Sequence, residues 1–273
     1  MTALPGTSQV ARDVAVVTGA SSGIGLCFAQ RLAARGMDLV IVARRRERLD
    51  ALAAELHANH GTHVDILEAD LTDRAALATM MEAIGRTEHL AFMVNAAGFT
   101  KGGAFARADP QRIENELFLD LVAVALLTRA ALPPMISRGA GVVINISSTG
   151  GCNPSPGFAT YSAAKAGVIR LTEALSHELQ GTGVRVQALC PGPVPTEFSR
   201  IALGNDDMPV PRALVQSVDD CVDASLRALK RGPVTFIPHL PMRILTRAIQ
   251  ILPLSWRLRM LGGTATRLQH DAA

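Results

Sequence analysis

Short apolar runs alternate with longer stretches of helical periodicity along most of this chain. The apolar runs are rich in valine and isoleucine and alternate little, which is typical of strands buried on both faces of a parallel sheet. In the stretches between them, the apolar spacing predicts helices over Leu26–Ala34, Leu49–Ala58 and Ala75–Ile84. The predicted strands are Val14–Thr18, Leu39–Ala43, Val64–Glu68, Ala91–Asn95, Val142–Ser147, Val184–Leu189 and Val234–Ile237.

This alternation of strand and helix predicts an α/β fold, since strands joined through helices lie parallel with helices on both sides of the sheet. The chain has 273 residues, of which 48% are hydrophobic, and this suits one large domain. We predict a loose leader over residues 1–12, a main domain over 13–240 and an extension over 241–273. Residues 191–217, here called the binding loop, contain five prolines and no predicted element, which favours a lid or ligand-binding role.

Charge and cysteine content narrow the functional classes. A net charge of +3, from 27 basic and 24 acidic residues, is too small to indicate nucleic-acid binding. The four cysteines lack the spacing of a metal site or a redox motif, so we expect no metal and a reducing compartment. No signal peptide is evident, and no uninterrupted apolar segment approaches the ~20 residues that span a bilayer. The composition therefore predicts a soluble cytoplasmic protein.

From Pro241 onward the chain becomes both apolar and basic. Apolar residues recur there at helical spacing opposite basic and amide side chains, and a second apolar and basic stretch follows Pro253. We favour a helix packed over the binding pocket or at a subunit interface. The alternative is peripheral contact of residues 241–261 with an anionic membrane surface, which attracts helices of this composition. The predicted apolar stripe comprises Ile244, Leu245, Ala248, Ile249 and Leu252.

A glycine-rich turn directly follows the first predicted strand. Thr18–Gly25 reads TGASSGIG and leads into a predicted helix; its Gly-x-x-x-Gly-x-Gly spacing differs from the common Gly-x-Gly-x-x-Gly pattern. Glycines here permit a tight turn and let the backbone approach a pyrophosphate, while the helix N-terminus supplies free N–H groups and a positive dipole. The predicted dinucleotide contacts are Gly19, Ser21, Ser22, Gly23, Ile24 and Gly25.

The end of the second predicted strand indicates which dinucleotide is bound. NAD-binding folds of this kind place an acidic residue there to hold the ribose 2′-hydroxyl. This chain has Arg44, Arg45 and Arg46 instead, and a guanidinium is the preferred partner of a 2′-phosphate. We therefore predict NADP(H), held first by Arg44 and second by Arg45. After the third strand, Asp70 and Leu71 are placed to border the adenine, although Asp70 fits equally well as a cap of the next element.

Tyr161 is the chain's only tyrosine, and Lys165, one of its three lysines, follows four residues later. On a helix, residues four apart share a face, so the ammonium lies beside the phenol. A nearby positive charge favours phenolate and lowers a pKa that is ordinarily ~10. The pair predicts a general acid–base group that exchanges a proton with a substrate oxygen. The alternative is an ordinary helix with an interfacial tyrosine and a surface lysine.

Together these features resemble the short-chain dehydrogenase/reductase family over residues 14–196. Asn95–Gly98 matches the family's Asn-Asn-Ala-Gly segment, with alanine replacing the second asparagine, and Pro191–Gly192 with Thr196 matches its segment around the nicotinamide. The resemblance places the catalytic serine at Ser148. It implies a single Rossmann-type doubly wound domain with a seven-stranded parallel sheet. The further cofactor contacts that it implies are Asn95, Ala96, Gly98, Tyr161, Lys165, Pro191, Gly192, Val194 and Thr196.

The family mechanism, carried onto these positions, makes Tyr161 the group that gives a proton to a carbonyl oxygen or takes one from an alcohol. Ser148 would hydrogen-bond the same oxygen, and Lys165 would bind the nicotinamide ribose and lower the Tyr161 pKa. Many members carry an asparagine on the helix before the fifth strand, where this chain has Asp120. An ionised aspartate cannot donate hydrogen bonds, and its charge opposes phenolate formation. We hypothesise that Asp120 still supports a proton relay, with a shifted pH optimum.

The sequence thus predicts an NADP(H)-dependent oxidoreductase that interconverts a ketone or aldehyde and an alcohol on an apolar, lipid-like substrate. The resemblance also implies a homodimer or homotetramer. Two alternatives come from other classes: a non-catalytic NADP(H)-binding regulator, and a membrane-surface lipid-binding protein on the same fold. The apolar residues that flank the expected pocket are Phe99, Phe105, Phe158, Phe198 and Met208.

Overall fold

Parallel strands form one sheet in the order β3-β2-β1-β4-β5-β6-β7. The structure is a computed structural model that describes residues 12–203 and 210–262. The strand order reverses between β1 and β4, and doubly wound sheets bind ligands beyond the carboxyl ends of the strands at such a point. The predicted single α/β domain with a seven-stranded sheet is confirmed. The strands are β1 (Val14–Thr18), β2 (Asp38–Ala43), β3 (Val64–Glu68), β4 (Leu90–Asn95), β5 (Gly141–Ile146), β6 (Val184–Leu189) and β7 (Thr235–Phe236).

Helices connect the strands and cover both faces of the sheet. Those predicted from periodicity correspond to α1, α2 and α3, each of which begins one to three residues earlier than the prediction. The helices are α1 (Gly23–Ala33), α2 (Arg46–His60), α3 (Arg74–Gly85), α4 (Pro110–Leu117), α5 (Val124–Arg138), α6 (Thr149–Cys152), α7 (Ala159–Glu178), α8 (Glu197–Leu203), α9 (Val218–Ala228), α10 (Leu240–Ile251) and α11 (Leu254–Leu261).

Two apolar layers hold the helices against the sheet. Helices α1, α2 and α9 pack on one face through residues such as Phe28 and Val222, and α3 and α5 pack on the other through Met80 and Leu127. All six residues of β4, between the two layers, are buried. A strand covered on both faces requires the nearly continuous apolar sequence that β4 has. The two layers therefore fix the carboxyl ends of the central strands, where the site lies.

Local signals in the sequence explain several helix boundaries. The Asp109 carboxylate accepts hydrogen bonds from backbone N–H groups in the first turn of α4, and Pro110 occupies the first helical position. The Ser217 hydroxyl oxygen accepts from the Asp220 N–H at 3.0 Å, while its proton is donated to the Asp220 carboxylate at 2.7 Å. Gly36, beyond the end of α1, has a φ of +81°, as a glycine that ends a helix requires.

The boundaries of the predicted regions differ in detail from the structure. Strand β5 ends one residue before the predicted Ser147, and β7 is two residues shorter than predicted. The binding loop contains α8 and a short 3₁₀ turn at Arg212–Leu214, so it is less irregular than its prolines suggest. Residues 1–11 of the leader, 204–209 of the binding loop (which include Met208) and 263–273 of the extension lie outside the described residues.

One helical stretch is longer and more apolar than the sequence analysis anticipated. Pro110–Arg138 joins α4, a π-helical turn at Phe118–Ala123 and α5, and its mean hydropathy reaches 1.6. Length and composition alone would let this stretch cross a bilayer, although such evidence is weak for a single helix. Its buried side packs against β4 and β5, where it forms part of the core.

Candidate active site

The glycine turn closes tightly against the sheet and the start of α1. Gly19 and Gly23 have φ values of +67° and +56°, in the left-handed region that favours glycine. A Cβ at Gly19 would lie 2.8 Å from the Ala96 backbone, and one at Gly25 would collide with the Gly19 carbonyl oxygen. The turn is therefore a backbone cradle before the N-terminus of an eleven-residue helix. This arrangement fits the phosphates of a dinucleotide.

Thr18 ties this turn to the segment that follows β4. Its hydroxyl oxygen accepts hydrogen bonds from the N–H groups of Ala96 and Ala97, at 3.0 and 3.1 Å, and its proton points to the Val94 carbonyl oxygen at 3.4 Å. Gly98 lies so close to Asp120 that any side chain there would collide with the carboxylate. The segment therefore approaches the crevice with small residues and backbone atoms.

The side chain of Asn95 takes part in a buried hydrogen-bond network between strands and helices. It is buried, and its amide donates hydrogen bonds to the Thr128 hydroxyl at 3.1 Å and to the Asn145 side-chain oxygen at 2.8 Å. The Asn145 amide continues this network by donating to Thr172 on α7 at 3.0 Å. These contacts hold β4, β5, α5 and α7 together. The Asn95 side chain therefore positions the strands from which the predicted cofactor segment 95–98 continues.

Arg44 and Asp70 lie together at the end predicted to hold the adenosine. The Arg44 Nη1 is 3.7 Å from the Asp70 Oδ2, and the arginine side chain is 71% exposed. Burial raises the pKa of Asp70, but hydrogen bonds from the Thr72 N–H and hydroxyl, together with the Arg44 charge, leave that pKa below its ordinary value. Asp70 thus shapes the turn before α3, whereas Asp73 caps the helix and Leu71 is buried in the core.

Arg45 bridges the glycine turn to the binding loop. Its guanidinium donates to the hydroxyl oxygens of Ser21 and Ser22, at 2.9 and 3.0 Å, and to the Glu197 carboxylate at 2.7 Å. Arg48 also donates to both oxygens of Glu197, each at 3.0 Å. Hydrogen bonds from Arg48 and Arg45 lower the pKa of Glu197 to about 2. The first residue of α8 is therefore an anion held by two arginines of the β2–α2 segment.

Ser148 and Tyr161 come together from two consecutive helices after β5. Ser148 caps α6, where its Oγ accepts from the N–H two residues later at 3.0 Å, and Tyr161 lies in the first turn of α7. A Cβ at Gly150 would lie 3.4 Å from the Ser148 Oγ and 3.6 Å from the Tyr161 ring, so the two side chains approach the same point. The close packing of α6 on α7 leaves no room for a side chain at Gly151. From the binding loop, the Phe198 ring lies 5.7 Å from the Tyr161 ring, centroid to centroid.

Lys165 is buried one helical turn beyond Tyr161, with 4% of its surface exposed. Its ammonium donates to the Ile146 carbonyl oxygen at 3.1 Å and lies 3.5 Å from the Asp120 carboxylate. The Nζ atom is 5.6 Å from the centre of the Tyr161 ring, over its face. The predicted proximity of the two side chains is confirmed, but the ammonium is directed at Asp120 and the β5 carbonyl.

The predicted lowering of the Tyr161 pKa is wrong for this arrangement. Burial raises the pKa of Tyr161 above its ordinary value, the Asp120 carboxylate raises it further, and the nearby Ser148 hydroxyl offsets only part of the change. Part of the side chain still reaches solvent. The Lys165 charge does not reverse the shift because it is neutralised by Asp120. At neutral pH the phenol is therefore protonated, which suits a proton donor.

Asp120 lies at the centre of the π-helical turn in the Pro110–Arg138 stretch and is fully buried. Such turns often occur at functional sites. Its carboxylate lies near the Phe99 N–H and faces Lys165 through Oδ1, while Oδ2 has no partner among the described residues. Burial raises the pKa of Asp120 to about 6, the Lys165 ammonium opposes this, and the buried Glu116 carboxylate adds to it.

The remaining predicted cofactor residues, Pro191 to Thr196, pass in front of α6 and the glycine turn. The Pro191 carbonyl oxygen accepts a hydrogen bond from the Thr149 N–H at 2.9 Å, and Val194 is buried. A Cβ at Gly23 would lie 3.2 Å from the Thr196 side chain. The binding loop therefore lies directly against the glycine turn.

Helix α10 covers the start of the binding loop. The Met242 side chain lies against Gly192, where an added Cβ would approach it to 2.8 Å, and the Gln250 amide donates to the Cys152 carbonyl oxygen at 2.9 Å. Because Cys152 ends the helix that Ser148 caps, α10 lies over the segment predicted to be catalytic. This contact agrees with the lid interpretation of the extension.

The predicted apolar stripe on α10 is only partly correct. Ile249 is buried, but Ile244 is 62% exposed and Ala248 is also exposed, while Thr246 takes a buried position. The helix is apolar on two opposite sides, so its pattern alone cannot identify the side that contacts protein. The exposed apolar side chains of α10 and α11, here called the outer face, include Leu240, Ile244, Ile251, Leu254, Trp256 and Met260.

Sequence reasoning missed three features close to the site. Glu197 pairs with arginines about 150 positions away, and Glu116 is a second buried acid, hydrogen-bonded by the Thr100 hydroxyl at 2.8 Å. Cys152 and Cys190, distant in sequence, lie in the same small apolar cluster. Only spatial proximity reveals these pairs. Within the described ranges, no group of three His, Cys, Asp or Glu side chains could hold a metal ion.

Comparisons with a family profile, with curated proteins and with solved structures all find dehydrogenases and reductases. The profile of the short chain dehydrogenase family matches residues 13–204. A putative ketoacyl reductase of the granaticin polyketide synthase from Streptomyces violaceoruber is 42% identical over 206 residues, which cover 72% of this chain and 73% of the relative. The very-long-chain 3-oxoacyl-CoA reductase of Anas platyrhynchos is 30% identical over 259 residues, with 93% and 80% covered. A short-chain dehydrogenase from Sphingobium yanoikuyae, solved in complex with NADPH, superposes with a TM-score of 0.78 at 37% identity, covering 87% of this chain and 94% of that one.

Proposed function

Because the chain belongs to the short-chain dehydrogenase family and is an oxidoreductase acting on CH–OH and C=O groups, we propose that it reduces apolar ketones with NADPH. The observation that carries this proposal is the meeting of Ser148, Tyr161 and Lys165 at the carboxyl edge of the sheet, beside the glycine turn. A ketone oxygen held there would face the phenol and the serine hydroxyl together. The same crevice offers a dinucleotide its phosphate cradle.

In this proposal Tyr161 is the proton donor, since its raised pKa keeps the phenol protonated at neutral pH. Ser148 hydrogen-bonds the substrate oxygen and orients the carbonyl group. Lys165 supports the ribose of the nicotinamide, and Asp120 keeps the buried ammonium paired. When bound, the cofactor supplies the hydride. A protonated phenol suits the step in which a carbonyl oxygen receives its proton.

The proposed substrate is apolar and bulky. Phe198 lies against Tyr161, and the Met242 side chain lies against Gly192 in the binding loop. The similarity to a reductase of very-long-chain 3-oxoacyl-CoA extends over 93% of this chain and supports a lipid-like substrate. A panel of aliphatic ketones and 3-oxoacyl thioesters of increasing length is therefore the appropriate first assay. We further propose a cytoplasmic homodimer or homotetramer, which light scattering coupled to gel filtration would test.

The NADP(H) preference is tested by titrating the protein with NADPH and with NADH while following nicotinamide fluorescence. We expect NADPH to bind more tightly, because Arg45 contacts both serines of the glycine turn and Arg44 lies at the same end. Arg45→Gln should weaken NADPH binding about tenfold or more and leave NADH binding within twofold, as loss of a charge-assisted contact to a phosphate predicts.

Arg46→Gln is the matched control for that experiment. Arg46 is the next residue along, and it pairs with Asp50 on the exposed side of α2 at 2.9 Å. Equal losses in both variants would mean that general positive charge, and not the Arg45 contact, attracts the nucleotide. Tight NADPH binding without turnover of any carbonyl compound would favour the alternative of a regulatory nucleotide-binding protein.

The basic and exposed apolar residues of the outer face favour a second role. We propose that it rests on an anionic membrane surface, because residues 240–261 carry four arginines and no acidic residue around the exposed apolar side chains. Trp256, the chain's only tryptophan, is 60% exposed there. Its fluorescence should shift to the blue with phosphatidylserine vesicles and stay unchanged with phosphatidylcholine vesicles.

Arg257→Gln with Arg259→Gln should remove most of this response, since each basic residue near an anionic surface contributes about 1 kcal/mol. Arg227→Gln, on α9, is the matched control. A shift that grows with protein concentration in the absence of vesicles would instead show that a second copy covers the outer face.

A further inference from the structure

Glu197 is the one acidic residue on the described part of α8, and its carboxylate lies at the phosphate end of the candidate cofactor site. The carboxylate accepts one hydrogen bond from Arg45 at 2.7 Å and two from Arg48, one on each oxygen, at 3.0 Å. The Arg200 guanidinium lies 3.9 Å from the same carboxylate. The Glu197 side chain is only 22% exposed. Three guanidinium groups therefore surround one carboxylate where the binding loop meets the end of β2.

Arg45 is shared between two kinds of partner. One side of its guanidinium reaches Ser21 and Ser22 in the glycine turn, and Nη1 reaches Glu197. The proposed function assigns Arg45 to the 2′-phosphate of NADP(H). A guanidinium presents a limited fork of donors, so a phosphate and a carboxylate compete for it, and the two anions also repel each other.

Arg48 makes a different contribution. It holds Glu197 through two parallel hydrogen bonds, the geometry in which arginine binds carboxylate most strongly. Because Glu197 begins α8 and Phe198 follows it, this pair fastens the segment that covers Tyr161 to helix α2. Glu197 can therefore give up Arg45 and remain held by Arg48.

We propose that Glu197 is a specificity-determining and positioning residue, which competes with the 2′-phosphate for Arg45 while anchoring α8 through Arg48. This inference rests on the proposed function, because it requires a nucleotide at the glycine turn. Because Glu197 competes for Arg45, the ratio of NADPH affinity to NADH affinity is smaller than the arginines alone would produce. Through Arg45 and Arg48, the same carboxylate also links the end of the site predicted to hold the adenosine to α8, which carries Phe198 beside Tyr161.

The first arm of the test measures nucleotide affinity in Glu197→Gln. The amide keeps the size of the side chain and removes the charge, so NADPH should bind about three- to tenfold more tightly and NADH within twofold of the wild type, as partly exposed charges allow. The gain should shrink at high salt. In an Arg45→Gln background the gain should shrink to what the direct repulsion between the two anions contributes, because the competition takes place at that guanidinium.

The second arm needs no nucleotide. Hydrogen exchange of the amides in residues 197–203 should accelerate in Glu197→Gln, because its amide cannot replace the paired hydrogen bonds to Arg48. Asp50→Asn is the matched control for both arms, since it removes one exposed carboxylate from the neighbouring Arg46 pair without touching Arg45. Neither affinity nor exchange should change in that control.

The results separate this inference from the function on which it rests. A wild-type protein that binds neither nucleotide defeats the proposed function and the inference together, and this is seen before any variant is measured. If the wild type binds NADPH but Glu197→Gln leaves the ratio of NADPH to NADH affinity unchanged, the competition is refuted. Unchanged exchange in α8 refutes the anchoring role.

Discussion

Tyr161→Phe should reduce ketone turnover by NADPH on the order of 10²- to 10⁴-fold. The substitution removes one hydroxyl and keeps the ring, so the contact with Phe198 at 5.7 Å is retained. The loss arises because the substrate oxygen would no longer find a proton donor beside it, while Ser148 can still hydrogen-bond the carbonyl. NADPH affinity should stay within about twofold, since the phosphate cradle and the arginines lie elsewhere. Turnover follows from NADPH absorbance and affinity from fluorescence titration.

The pH dependence gives this prediction a second readout. Because the pKa of Tyr161 is raised, the phenol stays protonated from neutral to moderately alkaline pH, and the reduction rate should not fall there through its ionisation. An inflection is instead expected near pH 6, where Asp120 titrates. Asp120→Asn should abolish that inflection. A Tyr161→Phe variant that keeps a tenth or more of the activity would exclude the phenol as the principal proton donor.

The sequence was most informative where chemistry depends on residues that are close along the chain. Val- and Ile-rich runs located the strands, and the tyrosine–lysine spacing located one face of α7, because period and burial follow from local geometry. The glycine turn was readable for the same reason, since positive φ values at Gly19 and Gly23 demand glycine. These features need no knowledge of distant partners.

What the sequence could not provide depends on distant contacts. The direction of the Tyr161 pKa follows from burial and from Asp120, which lies 41 positions earlier in the chain. The pattern of α10 is apolar on opposite sides, so it could not show that Thr246 is buried and Ile244 exposed. The pairing of Glu197 with Arg45 spans 152 positions and has no local signature. The secondary structure could therefore be predicted from the sequence, whereas the electrostatics and packing of the site could be described only from the structure.

Lys165→Met should lower both activity and stability, and the loss of stability should be reversed by a second substitution at Asp120. Removing the ammonium leaves the fully buried Asp120 carboxylate without its counter-charge, because the remaining contacts are the Phe99 N–H and the acidic Glu116 nearby. Breaking a buried ion pair from one side typically costs about 3–5 kcal/mol. Urea denaturation followed by circular dichroism would measure the loss, with Lys230→Met, at an exposed position, as the matched control.

The pH dependence identifies the cause of that loss. In the wild type, burial already raises the Asp120 pKa to about 6 against the opposing Lys165 charge, so removal of the lysine must raise it further. The unfolded chain releases the same proton near its ordinary pKa of ~3.9. Below that value both states are protonated and Lys165→Met costs least. As the pH rises towards the folded-state pKa, the unfolded state ionises freely and the folded state does not, so stability falls.

Adding Asp120→Asn to Lys165→Met removes the group that titrates. The double variant should recover most of the lost stability and show no extra pH dependence between about pH 4 and 8, yet its activity should remain low because the ribose contact of Lys165 is still missing. If the double variant is as unstable as Lys165→Met at pH 8, the loss comes from packing of the lysine stem and not from the unpaired carboxylate. Recovery of stability without recovery of activity would separate the two roles of Lys165, in the fold and in the proposed reaction.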